Sequence, residues 1–327
     1  MNDKTDKTLY VAVPLGKIVP DSKLVTDIYL KINEKFIKYK ERDDELPVEK
    51  YDLFISKNVK EIFLHKDDFP FFMDWLTEAK QQIVDEITEK VGEEHRELVE
   101  QREQIKEIIF ETFAEEALSS KNVQILQDQT KQFIEQVKEQ KVPQAVLAKL
   151  TSHSPSIADH SVNVANIAVY LGMVLGHGHS FTLECLYLGG IFHDYGKAKI
   201  PANILEDKSH VLYDQRMKEH PTLGVKLLKK VPDIPEQVLM MVEQHHEQYN
   251  GKGYPQGLKG DQIFELAKIL TMANFFDNAV IDNRNKPKEM YRIACKAVEY
   301  DRGVNFDPLM LERVVDGLKL AFGGYTD

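Results

Sequence analysis

The apolar positions change their spacing twice along the chain. Before residue 75 they come in short runs. Leu9-Tyr-Val-Ala-Val-Pro has the form of a strand, and Leu24–Tyr39 fits either one helix or two strands. Tyr51-Asp-Leu-Phe-Ile and Glu61-Ile-Phe-Leu-His alternate as half-buried strands do. A small α/β regulatory or sensory domain is expected over 1–75. From Ala79 to Ala114 the chain is rich in Glu, Gln, Lys and Ile, with Gly92 as its one interior glycine and no proline. Ile83, Ile87, Val91, Leu98, Ile105, Ile108 and Ile109 trace one amphipathic face. This predicts a helical linker over 76–145, whose stripe packs on its own domain or pairs with a second copy. From Val142 to Ala321 helix follows helix: Ser156–Leu175, Thr182–Tyr195, Tyr213–Val231, Pro235–Gln248, Ile263–Val280 and Lys288–Glu299. The fold class expected is mainly α, with an all-helical domain over 146–327 behind the small α/β domain.

Composition narrows the function. The formal net charge is −11, which disfavours duplex nucleic acid, since affinity for it comes from neutralising phosphates. A small phosphate ligand stays open, because a metal site or a local basic pocket overrides the global sign. No apolar run reaches the ~18 residues of a membrane span. The first residues, Met1-Asn-Asp-Lys-Thr-Asp-Lys, have no signal-peptide core. Cys185 and Cys295 are the only cysteines and build no disulfide framework. A cytoplasmic protein is expected. Of 11 histidines, only His65 and His95 precede residue 150, and the rest lie between His153 and His246. That clustering locates the chemistry in the second half.

His160 shares a helical face with Val164, Ile167, Ala168 and Leu171. Alone, such a histidine is more often a core residue bonded to a carbonyl than a metal ligand. It has company: His193-Asp194 follows an apolar helix stretch, His220 opens another, and His245-His246 ends a third. Burying so many imidazoles leaves many polar atoms in need of partners, and a metal centre supplies them. Imidazole and carboxylate without thiolate suit iron, manganese or zinc. The donors are too many for one ion. Two ions about 3.5–4 Å apart would use them and would suit phosphate-ester hydrolysis.

Three ordered motifs carry a family resemblance. His193-Asp194-Tyr-Gly-Lys-Ala-Lys-Ile-Pro201, His220-Pro-Thr-Leu-Gly224 and His245-His-Glu-Gln-Tyr-Asn-Gly-Lys-Gly-Tyr-Pro255 resemble the HD, HPxxG and HHE…DGxGYP motifs of the HD-GYP family. Gln256-Gly-Leu-Lys-Gly-Asp-Gln-Ile263 continues the match, which covers about residues 150–300. The resemblance implies an HD-type helical domain and hydrolysis of cyclic di-GMP to pGpG, GMP or both. It implies His160, His193, Asp194, His220, His245 and His246 as ligands of two divalent ions, iron or manganese. Lys197 would hold a phosphate oxygen, so Lys197 and Asp194 are the catalytic candidates. Glu247 would orient ligand imidazoles, and Gly253, Tyr254 and Pro255 would form the substrate mouth.

The chain departs from the family pattern at named positions. The last ligand should be an aspartate where this chain has Asn274, with Asp277 as second choice. Ser156 replaces the glutamate of members with a third metal, which favours two ions. Asn283 takes the place of a substrate-binding arginine, with Arg284 beside it and Lys286 as the following basic residue, and Asn163 stands where many members have arginine. These changes motivate a rival reading: a catalytically weak or inactive domain that serves as a cyclic di-GMP receptor or protein-interaction module. A third reading keeps the enzyme and changes the cyclic dinucleotide. A homodimer through the linker and a signalling-protein partner are compatible with all three.

Overall fold

The computed structural model describes residues 9–33, 35–57, 59, 61–114, 118–152, 156–205, 207 and 209–323. The N-terminal strands are β1 (Tyr10–Pro14), β2 (Ile28–Ile32), β3 (Lys35–Lys40) and β4 (Glu61–His65), with α1 (Val48–Ser56) between β3 and β4. They form one antiparallel sheet in the order β1-β4-β2-β3. The undecided stretch Leu24–Tyr39 resolves into two strands, turning at Asn33 with φ 48°. Tyr51-Asp-Leu-Phe-Ile, expected as a strand, lies inside α1 instead. Tyr51 and Phe54 are both buried three residues apart, a helical spacing, and Tyr51 packs on Phe110 at 5.1 Å. A five-residue apolar run does not fix its own period; that tertiary contact does.

The long charged stretch forms α2 (Phe69–Val91) and α3 (Arg96–Ala114), interrupted at Gly92, whose φ of 102° favours glycine. Next come α4 (Ser120–Glu139) and the short α5 (Gln144–Lys149). Both α3 and α4 pack against the C-terminal half of the chain. Phe113 of α3 meets Tyr195 at 5.1 Å, and Phe133 of α4 meets Tyr187 at 5.0 Å.

The C-terminal bundle comprises α6 (Ile157–Val174), α7 (Ser180–Phe192), α8 (Ala202–Leu205), α9 (Tyr213–Leu228), α10 (Glu236–Gln244), α11 (Glu265–Asp282), α12 (Met290–Tyr300) and α13 (Pro308–Phe322). Helix α6 is its axis, buried continuously from Ala158 to Gly172, with the polar Asp159, His160, Asn163 and Asn166 inside that stretch. It lies against α7 so closely that a Cβ on Gly190 would come within 2.3 Å of Ala165 Cα. Among the described residues, no helix is long and apolar enough to cross a membrane.

Candidate metal centre

The histidines of the cluster share one construction. A helix leaves its last carbonyls without intrahelical partners. His193 follows the end of α7, and its Nδ1 lies 2.8 Å from the Gly190 carbonyl. His245 follows the end of α10, with Nδ1 2.8 Å from the Val242 carbonyl. His220 lies inside α9, where Pro221 has no N–H to give Met217, and its Nδ1 lies 2.6 Å from that freed carbonyl. A carbonyl only accepts, so each Nδ1 carries the proton and each neutral ring turns the Nε2 lone pair inward. His160, on α6, does the same through a carboxylate: Asp277 Oδ2 lies 2.7 Å from its Nδ1.

The inward nitrogens converge. His193 Nε2 is 3.3 Å from His160 Nε2, and His220 Nε2 is 3.1 Å from His245 Nε2. With every Nδ1 protonated, these contacts set lone pair against lone pair, which only a cation relieves. Asp194 lies between the pairs. Its Oδ2 is 3.3 Å from His193 Nε2 and 3.8 Å from His160 Nε2, while Oδ1 is 3.3 Å from His220 Nε2 and 3.7 Å from His245 Nε2. Asp194 Oδ1 and His246 Nε2 are buried with no hydrogen-bond partner among the described residues. The donors therefore divide into two groups that could each hold an ion, His160–His193–Asp194 and Asp194–His220–His245–His246, with Asp194 common to both.

The electrostatics fit cation binding. Burial pushes His193 and His245 below the usual imidazole range and His220 down to about 4. His246 falls well below it through burial and the neighbouring His245 and His220. Burial alone would raise the Asp194 carboxyl, but His193 and Lys197 hold it well below the usual carboxylate range. The result is an ionised carboxylate among neutral imidazoles, the protonation state that metal binding requires.

Three glycines bring the motifs together. A Cβ on Gly196 would lie 2.0 Å from the His220 carbonyl oxygen, and one on Gly224 would lie 3.4 Å from Gly196 N. Gly253 is likewise wedged against Gln248 N and the His246 carbonyl, 2.3 and 2.5 Å from where a Cβ would stand. Tyr254, next to Pro255, then stacks on His246 at 4.7 Å and 21°.

The sequence matches the HD domain family over residues 114–310. The chain belongs to the HD domain family, in its HD-GYP branch. Over 140 residues this HD domain is 33% identical to a "Probable cyclic di-GMP phosphodiesterase" of Vibrio cholerae, covering 40% of this chain and 32% of that one. Over 129 residues it is 35% identical to the "Cyclic di-GMP phosphodiesterase response regulator RpfG" of Xanthomonas campestris, covering 38% and 34%. The chain thus spans about a third of the length of these relatives. The whole fold is similar to that of Bd1817, an HDG"Y"P protein from Bdellovibrio bacteriovorus, with TM-score 0.62, 21% identity, and 95% and 99% of the two chains covered.

The HD domain places other candidates differently from the sequence reading. Asp277 is no ligand: it binds His160 Nδ1, on the ring edge away from the cluster. Glu247 does not orient imidazoles. Its carboxylate accepts the backbone N–H groups of Gln256, Gly257 and Leu258 at 2.7, 3.2 and 2.9 Å, and so ties down the loop after Pro255. Asn274 is buried on α11, and its Oδ1 accepts from Asn278 Nδ2 at 2.7 Å. Arg284 and Lys286 are exposed beyond the end of α11, where the Arg284 guanidinium lies 3.9 Å from Glu49 of α1 rather than against the cluster. Met217, Gly190 and Val242 went unnoticed because their contribution is a backbone carbonyl; the signal available was a histidine three residues past each, at a helix end or before a proline.

Proposed function

We propose that this chain is a metal-dependent phosphodiesterase of the bacterial cytoplasm that hydrolyses cyclic di-GMP to pGpG, GMP or both. The observation that carries the reading is Asp194, one carboxylate shared by two groups of imidazoles. His160, His193 and Asp194 would hold one divalent ion, and Asp194, His220, His245 and His246 the other, with iron or manganese best suited to this nitrogen and oxygen set. When bound, such a pair supplies Lewis acidity toward a phosphodiester and an activated water. The relatives' names give the substrate class.

The chain's own residues do the positioning. Lys197 Nζ, 2.6 Å from Asp194 Oδ2 and partly exposed, would receive a non-bridging phosphate oxygen as a point charge. Tyr254 keeps His246 in place with one ring face, leaving the loop Gly253–Pro255 to border the substrate mouth. The test is turnover of cyclic di-GMP by purified full-length protein loaded anaerobically with iron or manganese, read by chromatography and metal content. Conversion by the wild type and none by a His193→Ala, Asp194→Ala variant is expected; equal turnover by both would refute the assignment.

Asn274 favours a second reading. Its neutral amide, already engaged by Asn278, leaves two ions with one fewer anion and supports a cyclic di-GMP receptor with little turnover. Nucleotide binding without conversion by fully metallated protein would select it.

A further inference from the structure

Arg102 lies on α3, upstream of the residues that match the HD family, and its side chain is completely buried. A buried guanidinium is costly unless it is paired. It donates to Glu103 through Nη1, and through Nη2 to Asp159 Oδ1 at 3.2 Å and Asn163 Oδ1 at 3.1 Å. Asn163, on α6, also receives the Ser152 N–H on Oδ1 at 3.1 Å. Two donors on Oδ1 fix which way the amide points. Its Nδ2 must then face the other side, where it donates to the Ser152 carbonyl at 2.8 Å and to Asp277 Oδ1 at 3.1 Å. Turned over, the amide would set an oxygen against the Asp277 carboxylate. Asp277 in turn holds His160 Nδ1 at 2.7 Å, which aims His160 Nε2 at His193 and Asp194.

We infer that Arg102 is a positioning residue for the His160 metal group, acting through Asn163 and Asp277. The inference rests on the reading of the cluster as a metal centre. Arg102 also pairs with Asp159 at 3.2 Å, which Lys106 approaches as well at 3.4 Å. A segment outside the matched family span thus completes one half of the metal site.

The test is a Mn2+ titration of the metal-free full-length chain by calorimetry, which reads metal binding without substrate. The wild type is expected to show two binding events. Arg102→Met should weaken one about tenfold, the size usual for groups that orient a ligand, and leave the other unchanged; Arg102→Lys should recover part of the loss. Lys106→Met serves as the control. It removes a charge that contacts Glu103 and Asp159 but not Asn163, and should titrate as the wild type. Wild-type titration of a folded Arg102→Met protein overturns the inference, as does an equal loss at both events. Should Arg102→Met fail to fold, Asn163→Ala carries the test: it keeps the Arg102–Asp159 pair and must show the same one-site loss, and a wild-type titration of it counts against the inference. A wild-type chain that takes up no Mn2+ would sink the metal reading itself.

Discussion

The His220 ring nitrogen Nδ1 lies 2.6 Å from the Met217 carbonyl, an acceptor that Pro221 leaves without its helical N–H. A helix-breaking residue and a metal-ligand candidate are thus one device: the proline frees the carbonyl, and the carbonyl aims the imidazole. Proline inside a helix costs about 3 kcal/mol, a cost that α9 bears at Pro221.

Pro221→Ala should accordingly separate stability from binding. The metal-free protein gains about 1–3 kcal/mol in denaturant unfolding, because the helix regains its bond. The restored amide competes for the Met217 carbonyl, so divalent-metal affinity falls about tenfold. Calorimetry on the same preparation reads the second effect. A variant that gains stability and binds metal as before would show that the carbonyl does not orient His220.

Gly196→Ala should damage both the fold and the site. The new Cβ would stand 2.0 Å from the His220 carbonyl oxygen, a backbone atom that no rotamer change can move. Overpacking of this kind costs about 1–3 kcal/mol, and the forced shift moves His220 away from Asp194. Denaturant unfolding and metal content should fall together.

Asp194→Asn removes the carboxylate common to both ligand groups. Metal content should drop at both groups, and turnover of cyclic di-GMP with it. Single-ligand variants such as His193→Ala and His246→Ala should each lose metal chiefly at one group. Retention of full metal content by Asp194→Asn, measured by elemental analysis, would disprove the shared-carboxylate assignment.

Asn274→Asp adds an anion on α11, where the amide oxygen now accepts from Asn278. Metal retention during dialysis should rise, and turnover should rise in parallel if the missing charge is what limits it. Unchanged retention would clear Asn274 of that role.

Glu247→Gln tests the substrate mouth. The carboxylate accepts three successive backbone N–H groups, from Gln256 to Leu258, and a neutral amide accepts them more weakly. KM for cyclic di-GMP should rise several-fold, while kcat and metal content stay near wild type. A fall in metal content would restore Glu247 to the imidazole-orienting role that the resemblance implies.

Much of the site was legible because ligand chemistry is written in residue types. The histidines cluster after residue 150, and the HD and HPxxG motifs and the His245-His246 pair occur in order. Helix α6 was legible too, since Val164, Ile167, Ala168 and Leu171 recur at helical spacing after His160. The misreadings have specific causes. Tyr51–Ile55 is too short to declare its period without Phe110 beside it. The resemblance gives Glu247 an imidazole-orienting role, but neighbours in the chain point in different directions, and its partners arrive from a loop about ten residues on. Arg284 enters the reading only because it stands beside Asn283, the family's arginine position, and the fold turns it toward α1.

The sequence by itself determined the donor set: imidazole and carboxylate without thiolate, at helix ends or on helix faces, and hence a metal centre suited to phosphate esters. Tertiary structure decided which atom of each residue faces inward. Asp277 became the support of His160 rather than a ligand, and Arg102, distant in sequence, came to rest against Asn163. A residue type fixes which atoms can donate or accept. Only the packed neighbours fix which of them is already engaged, and a lone pair turns toward a metal when every other partner of its ring has been satisfied.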